Sequence, residues 1–318
     1  MSEKKRIAYL DNVRAICMLY IVGFWHMQEY TEYGLYTPVT QAITRGVLAT
    51  FVFISAYLAG KKKIDNLDDV KRFCKKRLLR IYPLFFLACT TLYLIHLVWG
   101  KNYILDTAQY IRALLGISFI ITPAPSTVWF INMLIIFDII AVLVNSIKGF
   151  RWKTLTCTAV VGTVFLLKYL FDGIDDRILI YCPVYCVALL VSAVGNLPER
   201  TNYYILFGGL LAFVMLCPFA ERNIFSNILV TMICVGVLLE IGKLCVIKGL
   251  STLLAWLSYG SMCAYLFHRQ ILFVVYGCIG PFPIWFALIV MLPVVIILSW
   301  CIQKGYDNLF ELKVLKRN

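Results

Sequence analysis

The sequence alternates between long apolar runs and short polar segments. Ten of these runs have the length of a membrane-spanning helix, and their approximate bounds are 8–27, 38–60, 78–98, 128–147, 152–170, 178–195, 202–218, 225–246, 252–277 and 283–302. The runs predict helices, because the strands of a membrane barrel are shorter and alternate in polarity. We therefore expect an all-α, polytopic membrane helical bundle of about ten transmembrane helices, with residues 1–318 forming a single transmembrane domain.

The positive charges divide the polar segments into two sets. Every second segment, starting with the N-terminal one, is basic, and this set carries 21 Lys and Arg; the other set carries four, Lys101, Arg112, Arg177 and Arg222. Because basic loops stay on the cytoplasmic side, we expect both termini in the cytoplasm and a multi-pass protein of the cell (inner) membrane. The longest outer loop, 99–127, holds an apolar stretch at 111–121 that is too short to span. We expect a helix there that lies on the outer face or dips into it.

Composition agrees with this class of protein. Hydrophobic residues make up 61% of the chain and charged residues 15%, whereas a soluble domain is about a quarter charged. The net charge is +13, and most of the basic residues lie in segments that border the spans. This placement favours the lipid bilayer over nucleic acid as a partner. The 12 cysteines lie within apolar runs without a C-x-x-C pair, which favours buried small side chains over metal or disulfide chemistry.

The first span carries an ionisable group near each of its ends. Arg14 and His26 are 12 residues apart, which corresponds to about 18 Å along a helix. An arginine here can snorkel to the headgroups, and a histidine can be an interfacial anchor. Ionisable groups inside a membrane more generally indicate function, so we also consider an anion anchor at Arg14 and a general base at His26. Asp11, three residues before Arg14, lies on the same helix face and can pair with it.

A second pair of arginines opens the third span. Arg77 and Arg80 are spaced by three and share a helix face, and Arg80 lies inside the apolar region. Pro83 suits the first turn of that helix, where a missing N–H costs little. Two planar guanidinium groups on one face, together with Arg14, suit a polyphosphate, and a nucleotide-tailed molecule such as coenzyme A has the matching charges.

Other polar side chains within the spans also need partners. His268, in the ninth span, lies at a depth similar to that of His26, and Arg45 and Asp138 can pair by depth. His96 ends the third span beside Trp99 and fits an interfacial role.

Four stretches of the chain resemble motifs of the acyltransferase 3 family, the multi-span enzymes that O-acylate surface glycans. They are Tyr9 to Ala15 with His26, Phe51 to Leu58 (like F-F-x-x-S-G-Y-L), Arg77 to Pro83 (like R-x-x-R-I-x-P) and Ser258 to His268 (like S-Y-x-x-Y-L-x-H), with a weaker W-F match at Trp129 and Phe130. The order and spacing of these motifs extend over nearly the whole chain.

The resemblance implies a catalytic His26 and acyl-CoA contacts at Arg14, Arg77 and Arg80. It implies transfer of an acyl group, usually acetyl, from cytosolic acyl-CoA (acetyl-CoA as donor substrate, with no permanently bound cofactor) to a hydroxyl of an extracytoplasmic or lipid-linked glycan. The matched motifs add the supporting residues Asp11, Ser55, Tyr57 and Trp129.

The chain departs from the family pattern at two functional positions. Eleven residues separate Arg14 from His26 instead of ten, which rotates the histidine by about 100°. A π-bulge absorbs one extra residue and is frequent at functional sites, so we predict one between these two residues. The glutamate that many members carry after W-F is absent; Asn132 and Asp138 are the nearest polar residues, and the acid partner of His26 stays unassigned.

The expected mechanism is attack of a hydroxyl, deprotonated by His26, on the thioester carbonyl. Asn132, Tyr259 or His268 are the candidates for stabilising the oxyanion or contacting the acceptor. A transporter or glycan-lipid exporter without acyl transfer is the alternative, although no internal repeat typical of transporters is present. A non-catalytic scaffold leaves the polar groups at two depths unexplained. The sequence leaves the acceptor and the oligomeric state open.

Overall fold

The computed structural model describes residues 7–32, 34–99, 106–118, 120 and 127–311, and most of them are α-helical. The helices are α1 Ala8–Tyr20, α2 Pro38–Gly60, α3 Leu67–Trp99, α4 Thr107–Leu114, α5 Trp129–Ser146, α6 Phe150–Leu170, α7 Arg177–Val194, α8 Tyr203–Leu216, α9 Ile224–Leu244, α10 Leu250–Tyr259, α11 Ser261–Ile279, α12 Ile284–Phe286 and α13 Leu292–Tyr306. Three π-helical segments are described, at Ile21–Trp25 after α1, at Ala287–Met291 after α12 and at Asp307–Glu311 after α13. Within the described ranges, the β-type pairing is one isolated bridge between Thr31 and Phe282.

Eight described helical stretches are long and apolar enough to cross a membrane. The remaining two predicted spans are also helical: α1 with its π-helical continuation covers 8–25, and α8 covers most of 202–218. The expected polytopic helical bundle is therefore confirmed. The cytoplasmic position of the termini stays a prediction from charge.

The chain forms two compact units by its internal contacts. The first unit consists of Met1–Thr50, Glu199–Pro218 and Ile233–Asn318, and the second unit consists of Phe51–Pro198 and Phe219–Met232.

In the first unit, α1 packs against α10 and α11, and both of these helices pack against α13. The ninth predicted span is interrupted at Gly260, which separates α10 from α11. A Cβ at this position would lie 3.4 Å from the backbone N and Cα of Trp300, so the backbone of α13 passes in van der Waals range of this position. The interruption leaves Ser258 at the end of one helix and Ser261 at the start of the next, where the Ser261 hydroxyl donates to the Ser258 carbonyl at 2.7 Å.

In the second unit, α3 begins at Leu67, well before the predicted start of the third span at residue 78. Pro83 consequently lies inside the helix, and its expected first-turn position is wrong. The basic segment upstream simply continues the helix, since Lys and Arg are good helix formers. A proline inside a membrane helix is tolerated where neighbouring groups satisfy the freed carbonyl.

The short helix α4 runs back along α3 rather than away from it. The Tyr93 hydroxyl lies 3.1 Å from that of Thr107, and the Tyr82 hydroxyl donates to the Leu114 carbonyl at 2.9 Å. Tyr93 and Tyr82 are eleven residues apart, or about 16 Å along α3. Helix α4 therefore descends beside the span, as a re-entrant segment does.

The helix in this loop has different ends from those expected at 111–121. A capping box at its start, formed by Asp106 and Gln109, places the first turn four residues earlier. The helix ends at Leu114, and Gly116 follows with a φ of 75°, a conformation that favours glycine and terminates helices.

We predict that Gly242→Ala destabilises the protein by about 1–3 kcal/mol, the usual cost of overpacking. A Cβ at Gly242 would lie 2.1 Å from Val13 Cγ2 and 2.9 Å from the Tyr9 carbonyl oxygen, and the backbone of α1 cannot move aside cheaply. Gly208→Ala is the matched control, because a Cβ there meets no atom within 4 Å. Thermal unfolding of the detergent-solubilised variants measures the difference, and equal melting temperatures would contradict the prediction.

Candidate active site

A π-helical turn lies between Arg14 and His26, as the spacing of the two residues predicted. Residues Ile21–Trp25 are π-helical, and the His26 N–H donates to the Ile21 carbonyl five residues earlier, at 2.9 Å. The turn absorbs the additional residue. Gly23 lies within it, where a Cβ would lie 2.9 Å from Leu292 Cδ2, so this turn packs closely on α13. The predicted π-bulge is confirmed.

His26 pairs with His268 in the first unit. His26 Nδ1 and His268 Nε2 are 2.7 Å apart, and the rings are nearly parallel with centroids separated by 4.7 Å. Both side chains are buried, His268 completely. The two residues are 242 positions apart in the sequence, and the helices that carry them, α1 with its continuation and α11, pack against each other.

A backbone carbonyl defines the direction of this hydrogen bond. His268 Nδ1 lies 2.9 Å from the Ala264 carbonyl oxygen, which can only accept, so Nδ1 carries the proton. In a neutral imidazole the other nitrogen is then an acceptor, and His268 Nε2 accepts from His26 Nδ1–H. His26 Nε2 is left with its lone pair, which is the form that a general base requires.

An ion pair lies directly beside the two histidines. The guanidinium of Arg269 donates to both carboxylate oxygens of Glu29, at 2.8 and 2.7 Å. Glu29 follows His26 by three residues, and Arg269 follows His268 by one. Two contacts, His26 with His268 and Glu29 with Arg269, therefore connect the end of the first span to α11. Together they restrict the relative position of the imidazoles.

At the other end of α1, Arg14 pairs with Asp11 as expected, with Nη1 3.5 Å from the carboxylate. The Ser258 hydroxyl donates to the same carboxylate oxygen at 3.3 Å. The S-Y motif thus anchors Asp11, which in turn orients Arg14. The Arg14 side chain keeps 24% of its surface exposed.

Tyr259, the second residue of that motif, has another partner. Its hydroxyl donates to the carboxylate of Asp307 just after α13, which also accepts from Gln303 Nε2 at 2.9 Å. The structure therefore brings Tyr259 together with the end of α13, and His268 together with His26.

In the second unit, Arg77 is held by internal partners. Its Nη atoms donate to the hydroxyl and the carbonyl of Ser55, at 3.4 and 3.2 Å. Its Nε lies 3.5 Å from the carboxylate of Asp138, which also accepts from the Tyr185 hydroxyl at 3.3 Å. Arg80, by contrast, is exposed. A charge within a span needs a partner; depth in the sequence suggested Arg45 for Asp138, whereas the structure pairs Asp138 with Arg77.

Three further predicted residues also lie in the second unit. The Tyr57 hydroxyl accepts from the Leu197 N–H at 3.1 Å, and the ring of Trp129 lies 3.9 Å below the guanidinium of Arg177. Asn132 is fully buried, and its Nδ2 donates to the Ser118 hydroxyl at 2.5 Å. The contacts to Leu197 and Ser118 involve the loops that follow α7 and α4. Across the described part of the chain, no three His, Cys, Asp or Glu side chains are arranged to hold a metal ion.

The fold and the buried histidine pair define a polytopic membrane protein with a candidate acid–base centre. The model of the acyltransferase 3 family, described as an acyltransferase domain, matches residues 7–304. The chain belongs to this family, and the protein is a membrane acyltransferase. No curated protein and no solved structure gave a match to the chain.

We predict that Asp138→Leu destabilises the protein by about 3 kcal/mol, because it leaves the guanidinium of Arg77 without its counter-charge in apolar surroundings. The double variant Arg77→Met with Asp138→Leu should recover most of this loss. Asp68→Leu is the control, since Asp68 pairs with Lys71 on the surface, where an ion pair contributes little. Thermal unfolding in detergent distinguishes these variants; equal losses at positions 68 and 138 would contradict the ion-pair argument.

Proposed function

We propose that the protein transfers an acyl group, most simply acetyl, from cytosolic acyl-CoA to a hydroxyl of an extracytoplasmic or lipid-linked glycan. The observation that carries this proposal is the hydrogen-bonded pair of His26 and His268, with the proton position that Ala264 defines. Membership of the family favours acyl transfer over a transporter without chemistry.

In this mechanism, His26 Nε2 removes the proton of the acceptor hydroxyl while its oxygen attacks the thioester carbonyl. The C–S bond then breaks, and the departing thiolate recovers the proton from His26. During the step the imidazole of His26 becomes positive, and its Nδ1–H bond to the neutral His268 strengthens. His268 is thus a positioning residue that selects the tautomer of the base, a role that a carboxylate has in many hydrolases.

The roles of the remaining candidates follow from their partners. Both ring nitrogens of His268 are engaged, so we assign it to orienting the base rather than to stabilising the oxyanion. Tyr259 is bound to Asp307, and we assign it to holding the end of α13. The ion pair of Glu29 with Arg269 supports the histidine pair, since it limits movement of the two helices that carry the imidazoles.

For the donor, we propose that Arg77 and Arg80, both in the second unit, contact the phosphates of acyl-CoA, because planar guanidinium groups bind phosphate oxygens in pairs. Arg80 is exposed, whereas Arg77 is oriented by Ser55 and Asp138. Their positions suggest that Arg80 makes the freer contact and that Arg77 presents a fixed charge.

We expect His26→Ala to reduce glycan acylation by about 10³-fold, within the range for loss of a general base. His268→Ala should reduce it by about 10²-fold, because His26 then loses the acceptor that selects its tautomer. The double variant should be no worse than His26→Ala, since the two residues act as one unit. Mass spectrometry of exported glycans, in cells with equal amounts of inserted protein, measures these effects.

His96→Ala is the control for the loss of an imidazole from a span, and it should acylate like the wild type. Normal acylation by His268→Ala would remove the role of the pair. Losses that multiply in the double variant would show two independent residues.

We further expect Arg80→Ala to raise the KM for acetyl-CoA about tenfold or more with little change in kcat, since a charge-assisted contact to phosphate contributes about 1.5–3 kcal/mol. Arg72→Ala, which removes an exposed arginine paired with Asp69 and about two turns before Arg80 on the same helix, is the control and should leave KM unchanged. The measurement is acetyl-CoA consumption by purified protein, and an unaltered KM for Arg80→Ala would exclude this contact.

A further inference from the structure

Asn132, at the start of α5, carries a buried side-chain amide. The residue has no exposed surface, and its Oδ1 has no hydrogen-bond partner among the described residues, although Nδ2 donates to Ser118. An unsatisfied buried acceptor costs about 1–3 kcal/mol. Such a group in a native protein suggests a partner that binds from outside.

The surrounding backbone is irregular at a depth where regular helices are the rule. The re-entrant segment leaves α4 through Gly116, and α5 is preceded by Thr127, which has a φ of 70° although it is not glycine. Thr127 and Ser118 are both buried. Irregular backbone within a membrane is tolerated where it is buried in protein or lines a cavity, and strained residues cluster at ligand sites.

Distances along α5 and α3, both in the second unit, show how far Asn132 lies from Arg77 in the direction of the helix axes. Asp138, the partner of Arg77, lies six residues beyond Asn132 on α5, or about 9 Å along the helix. Tyr82, which binds the end of α4, lies five residues beyond Arg77 on α3, or about 8 Å. Both helices therefore place the re-entrant segment and Asn132 one to two turns beyond Arg77, further from the basic start of α3.

We propose that Asn132 Oδ1 accepts a hydrogen bond from an amide N–H in the pantetheine arm of the donor, while the phosphates are held by Arg80 and Arg77. This proposal rests on the proposed function. An amide is the ligand chemistry that matches the site, because it offers a donor to the unsatisfied oxygen. The amides of the pantetheine arm also belong to the same molecule as the phosphates that we place at the arginines. Ser118 is a positioning residue that orients the Asn132 side chain.

Binding measurements with three ligands, on purified protein in detergent, distinguish the contact to the pantetheine arm from the contact to the phosphates. Acetyl-CoA has both halves, acetyl-pantetheine has only the arm, and 3′-phospho-ADP has only the nucleotide. We expect Asn132→Leu to weaken binding of acetyl-CoA and acetyl-pantetheine about tenfold and to leave 3′-phospho-ADP unchanged. Arg80→Ala should show the opposite pattern and weaken acetyl-CoA and 3′-phospho-ADP alone.

Two variants keep the test independent of misfolding. Asn132→Asp retains the acceptor oxygen and should bind acetyl-pantetheine within about threefold of the wild type. Asn145→Leu removes another amide of α5, one that donates to the Ala59 carbonyl at 3.0 Å, and should leave the binding of all three ligands unchanged.

Each contrary result has a definite meaning. Equal weakening of all three ligands by Asn132→Leu would show a structural role and overturn the proposal. Unchanged acetyl-pantetheine binding with a raised KM for the glycan would also overturn it, and would assign the amide to the acceptor. Absence of acetyl-CoA binding to the wild-type protein would instead remove the proposed function itself.

Discussion

Charged and polar groups within a membrane need partners, and this constraint organises the described structure. Hydrocarbon cannot solvate a guanidinium, a carboxylate or an imidazole, so each must meet a counter-charge or a hydrogen-bonding group inside the protein. Arg77 meets Asp138, Glu240 meets Lys243 at 2.7 Å, and His26 meets His268. The contacts of Arg77 with Asp138 and of His26 with His268 join different helices, so the packing of helices within each unit makes them. A substitution that removes one partner therefore costs more than the contact itself, because the other partner remains buried.

Departures from regular helix give these polar groups their positions. The π-helical turn after α1 rotates His26 towards α11, and the interruption at Gly260 leaves Ser258 at a helix end, where it reaches Asp11. The segment that follows the re-entrant helix α4 brings Ser118 to Asn132. A straight helix presents its side chains at fixed angles, so each of these irregularities supplies a direction that regular geometry does not. The π-helical turn and the interruption at Gly260 both lie within stretches that carry family motifs.

Local spacing made a substantial part of the site predictable. The pairing of Asp11 with Arg14 follows from a separation of three residues on a helix, and the structure confirms it. The extra residue between Arg14 and His26 was sufficient to predict the π-bulge. The ends of α3 and α4 were less predictable. The helix α3 continues upstream through basic residues that also signal topology, and the capping box at Asp106 and Gln109 lies outside the apolar stretch that suggested a helix.

The sequence by itself determined the class of protein, the order of its helices, the family motifs and the residues that carry charge into the membrane. These properties depend on composition and on short repeats in hydrophobicity, which are local. The tertiary structure alone decided that His268 completes the hydrogen bond of His26, that Asp138 holds Arg77, and that one end of the Asn132 amide is left unsatisfied. Each of these outcomes depends on side chains that meet across different helices, and no local pattern specifies which face of one helix packs against which face of another.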